Sequence, residues 1–112
     1  MNNSEGVIKK FEDLTYFDNL ALLYVCRETP PHTLALVFLE GDPKITGSML
    51  GVLDPKRREY IHSLMSQNKD IDPILREKAR DGICLIAENL ISRNLIFKEG
   101  RFFFGKENSK NV

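Results

Sequence analysis

Histidine, cysteine and clustered cations are the side chains of this 112-residue sequence whose types could do chemistry. His32 and His62 stand thirty residues apart with no cysteine or carboxylate at ligand spacing, so neither fits a zinc motif. His62 falls on the polar side of a helical pattern and reads as a surface residue. Cys26 and Cys84 lie far apart in helical patterns, which fits buried, reduced thiols better than a disulfide or a metal pair. No serine sits in a nucleophile elbow. Gly47 and Gly51 are not followed by Lys-Ser/Thr, so no glycine loop cradles a phosphate. No carboxylate pair lies in an apolar setting that would raise a pKa for acid–base work. The pattern points away from an enzyme and requires no cofactor and no metal.

Binding chemistry is better represented. Lys56-Arg57-Arg58 places three cations in the first turn of a helix, where the macrodipole is already positive. Such a cluster could hold an acidic partner or a phosphate; the plainer reading is a solvated face offset by Asp54 and Glu59. Thr29-Pro30-Pro31-His32 is the second candidate. Consecutive prolines make a rigid helix start that loses little entropy on docking, and His32 at the third position could point outward. Thr29, Pro30, Pro31, His32, Lys56, Arg57 and Arg58 are therefore the candidate partner-binding residues.

Helices must position them. Thr29 is expected as the N-cap of a helix in which Leu34, Ala35, Val37, Phe38 and Leu39 are apolar around most of the circumference, the pattern of a central helix covered on several sides. Gly41 should stop it. Three later helices announce themselves identically, at Asp42-Pro43, Asp54-Pro55 and Asp72-Pro73, each a capping Asp before a Pro that is tolerated only in the first turn. The first carries Ile45, Met49, Leu50 and Val52 inward, with Gly47 and Gly51 permitting close helix approach or marking its end. The second carries Tyr60, Ile61, Leu64 and Met65. The third runs from Pro73 to about Arg93 with the stripe Leu75, Ala79, Gly82, Ile83, Ile86 and Leu90, and a bend or tight contact is expected at Gly82. Upstream, Phe11 to Leu14 reads as a helical turn, and Asp18 caps a helix ending near Glu28. After Arg93 the period changes. Leu95 to Lys98, a turn at Glu99-Gly100 and Arg101 to Phe104 read as a β-hairpin that must dock on the helices.

The whole is expected to be one mainly α domain over residues 11–104, a right-handed armadillo- or HEAT-like superhelix of short helices with a small C-terminal β-hairpin. Disordered segments are expected at 1–10 and 105–112. Short helices joined by two- or three-residue turns stack into a superhelix more readily than into an up-down bundle. Sixteen basic and sixteen acidic residues cancel, which argues against binding nucleic acid or an anionic membrane by bulk electrostatics. No apolar run approaches membrane-spanning length and no signal peptide opens the chain, so a cytoplasmic location is expected.

From Thr29 to Leu53 the chain resembles the middle, armadillo-type domain of the flagellar motor switch protein family FliG. Pro31, Thr33, Ala35, Asp42-Pro43, Leu50-Gly51-Val52-Leu53 and Pro73 fall in register with that domain without gaps, and the likeness covers about residues 11–90. Some features, such as Phe11-Glu12-Asp13-Leu14 and the terminal helix plus short strand, are similar to the family's C-terminal domain. The family's Glu-His-Pro-Gln docking motif falls on Thr29, Pro30, Pro31 and His32, where Pro31 alone agrees. Among the family's torque-bearing charges only Lys56 keeps its sign, so no torque role is carried over. The resemblance implies a protein–protein module in flagellar motor assembly or switching, peripheral at the basal body, with a FliM-like or FliF-like protein partner and possible oligomerisation. The alternative is a winged-helix DNA-binding domain, with Asp54 to Met65, the Pro73 helix and the Phe97 to Phe104 hairpin as helix, recognition helix and wing.

Overall fold

Each Asp-Pro pair begins a helix. The computed structural model describes Ile8, residues 10–40 and residues 42–107. The disorder expected at 1–7, 9 and 108–112, and the stop at Gly41, lie outside the described residues. A 3₁₀ helix, Phe11–Tyr16, leads into α1 (Asn19–Glu28), α2 (Pro31–Glu40), α3 (Pro43–Val52), α4 (Pro55–Gln67) and α5 (Pro73–Ser92). Strands β1 (Ile96–Glu99) and β2 (Phe102–Gly105) follow. The carboxylates of Asp18, Asp42, Asp54 and Asp72 accept the N–H groups of Ala21, Lys44, Arg57 and Ile74 at 2.7 to 2.9 Å, so orphan donors at four helix starts are satisfied by sequence-local acceptors.

The two prolines move one expected cap. Thr29 does not cap α2: Pro30 occupies that position, its carbonyl accepting from Leu34 N at 3.0 Å. Thr29 instead closes α1, its N–H and its hydroxyl both donating to the Val25 carbonyl at 3.1 and 2.6 Å.

α2 is the central helix that its all-round apolar sequence requires, with Leu34, Ala35, Val37 and Phe38 buried and α5, α4 and α3 packed against it. α1 packs on α3, β2 and α5. Two of these contacts skip one element, α1 on α3 and α2 on α4, while α5 packs back on both α2 and α1. α4 is an outer helix resting mainly on α2, so its buried stripe narrows to Ile61 and Leu64, and Tyr60, expected inside, is 54% exposed. Leu75 is also outside, at 45%. α2 ends at Glu40, whose carboxylate lies 3.7 Å from Arg76. The remaining α5 stripe holds, with Ala79, Ile83 and Leu90 buried and Ala87 added to it.

No tight contact occurs at Gly82. A Cβ built there, or at Gly47 or Gly51, meets nothing within 4 Å. The close approach is at Gly105, where a Cβ would stand 2.7 Å from the Leu20 side chain and 2.8 Å from the Ala21 nitrogen. Gly105 is paired in β2 opposite Ile96, one residue past the expected end of the hairpin. Ile8, placed by sequence in the N-terminal segment, is buried and its N–H donates to Glu88 Oε2 at 2.5 Å.

α5 stops in a left-handed residue, Asn94 (φ 64°), with Leu95 N donating to Leu90 O and Asn94 N to Ile91 O, both at 3.0 Å; this is a Schellman closure with Asn where Gly is commoner. The antiparallel hairpin pairs Phe97 with Phe104 and Glu99 with Phe102. Its turn is therefore Gly100-Arg101, one residue later than expected, with the positive φ (64°) at Gly100. Docking comes from β2. Phe103 is buried against Phe17 with ring centroids 4.7 Å apart, Asp18 N donates to Phe103 O at 2.9 Å, and Asp18 Oδ1 accepts Gly105 N at 3.1 Å.

Candidate functional site

The cation cluster turns inward for the most part. Arg57 Nη2 donates to the carbonyls of Cys26 (3.0 Å) and Thr29 (3.1 Å) at the end of α1. Arg58 donates through Nε to Leu50 O (3.1 Å) and through Nη2 to Leu53 O (2.7 Å) at the end of α3. Two cations at the positive end of α4 thus lie against the negative ends of two other helices, where orphan carbonyls need donors. The guanidinium suits this because one planar group can serve two acceptors. Both arginines are half-buried, and only Lys56 of the three is exposed.

Of the other stretch, Thr29 is buried (1% exposed), with its hydroxyl committed to Val25. Pro30 and His32 are exposed and Pro31 is half-buried. Arg57 brings the two stretches together: its guanidinium holds the Thr29 carbonyl while its backbone follows Lys56. Pro30 and His32 are exposed just after Thr29, and Lys56 just before Arg57, while Thr29, Arg57 and Arg58 turn inward beneath them. Arg93 adds a bracket at the same end of α1, its guanidinium 3.0 Å from Glu28 Oε1; both groups are largely solvated, so the pair contributes little to stability.

Both thiols are held protonated. Burial pushes Cys26 up to about 12, against a smaller opposing effect of the Arg57 charge. Burial, with the charges of Asp81, Asp13 and Glu12, pushes Cys84 up to about 11, partly offset by Arg80. A thiol is a poor nucleophile in that state. Cys84 borders an open cleft of about 440 Å³ beside Phe11, Glu12, Asp81 and Glu88. A second cleft of about 510 Å³ lies between the ends of α1 and α5, bordered by Tyr24, Arg27, Arg93 and Lys106. Neither cleft contains a histidine. Among the described residues, no group of three or more His, Cys, Asp or Glu is placed to hold a metal ion, and no helix is long and apolar enough to cross a membrane.

The outward residues of α5 include Glu77, Lys78, Asp81 and Leu85, so a nucleic acid laid along this helix would meet carboxylates as often as cations. A surface the candidate residues do not include is the outer face of the hairpin, where Phe97 and Phe102 are 44% and 49% exposed. The signal for it is Phe102-Phe103-Phe104 itself, since three aromatics in a row along a strand cannot all face the core.

No protein-family model, curated protein or solved structure matches the chain.

Proposed function

We propose that this chain is a non-enzymatic protein-interaction module, a FliG-like rotor domain acting in flagellar motor assembly or switching. Its docking surface is the exposed Pro30–His32 turn beside Lys56, and its partner is a switch or basal-body protein of the FliM or FliF kind, met at the cytoplasmic side of the basal body. The observation that supports this is Arg57, whose guanidinium donates to the Thr29 carbonyl and so fixes the start of α4 against the entry to α2. Rigid surfaces lose little conformational entropy on binding. The reading draws further support from the packing of α1 on α3 and α2 on α4, the alternation by which short helices wind into a right-handed armadillo-like superhelix.

Pull-down with the full chain from lysate of a flagellated bacterium, scored for rotor proteins, tests it. Enrichment of a switch or basal-body protein over a charge-matched control is the expected result. Recovery of no rotor protein would remove the flagellar assignment.

A further inference from the structure

We draw no further inference here: the strongest candidate, the outer aromatic face of the β1–β2 hairpin with Phe97 and Phe102 exposed, has charges of both signs at its tip (Glu99, Arg101) and at its base (Lys106, Glu107), so nothing in the structure shows what covers it.

Discussion

Arg57 and Arg58 show how a charge cluster can mislead when read as a local run. In sequence they are three cations with Lys56 at the wrong end of a helix; in space two of them close the ends of α1 and α3. Replacing either arginine by Ala removes two charge-assisted hydrogen bonds and leaves carbonyls without donors, a loss of about 1–3 kcal/mol. Lysine should restore little, lacking the planar fork. Urea midpoints of the Ala and Lys variants check this; an Arg57→Lys variant as stable as wild type would mean that charge alone suffices. Glycines divide in the same way. Gly82→Ala should stabilise by about 1 kcal/mol, since the helix interior there has open space for a Cβ. Gly105→Ala should destabilise by about 1–3 kcal/mol, since strand and helix backbones must separate. The thiols give a pH dependence. Their folded pKa values, about 12 and about 11, lie above the ordinary 9.0, so the stability linked to the neutral thiols is complete below the ordinary value and is lost as pH rises through the folded values. Cys→Ala variants should therefore lose less stability than wild type above about pH 9. Equal alkaline losses in wild type and variants would contradict it.

At the scale of elements, the Asp-Pro starts were legible because both residues act locally: a carboxylate reaches an N–H two or three positions on, and proline is confined to the first turn. Asp42→Ala or Asp54→Ala should each cost about 1 kcal/mol, read as a lowered denaturation midpoint. Asp18→Ala should cost more, because the same carboxylate also receives Gly105 N from the hairpin. What sequence did not show depends on which neighbour each element meets. Tyr60 reads as inward by spacing, yet α4 rests mainly on α2 and Tyr60 lies on its exposed side. Leu75 follows the α5 stripe, yet in the first turn of α5 it is left exposed. Thr29 has the chemistry of a cap, but with Pro30 at the capping position its hydroxyl turns back to α1. For the candidate site the exposed members, Pro30, His32 and Lys56, were legible as surface residues. The supporting members were not, because Arg57 binds carbonyls 28 and 31 residues away.

Across the whole molecule, acidic and basic residues are balanced in number and interspersed on the outer side of α5. Anisotropy with random duplex at low salt should show no binding; micromolar binding that weakens steeply with salt would favour a winged-helix protein over an interaction module. The central claim is that the Pro30–His32 turn beside Lys56 is where a protein partner docks. Pro30→Ala with His32→Ala measures this most directly, because both side chains are exposed and helix starts tolerate both changes, so the thermal midpoint should stay nearly unchanged. With the fold intact, the double variant should capture its rotor partner with clearly reduced affinity in a titrated pull-down, and adding Lys56→Glu should reduce it further. Undiminished capture by the folded triple variant would contradict the account.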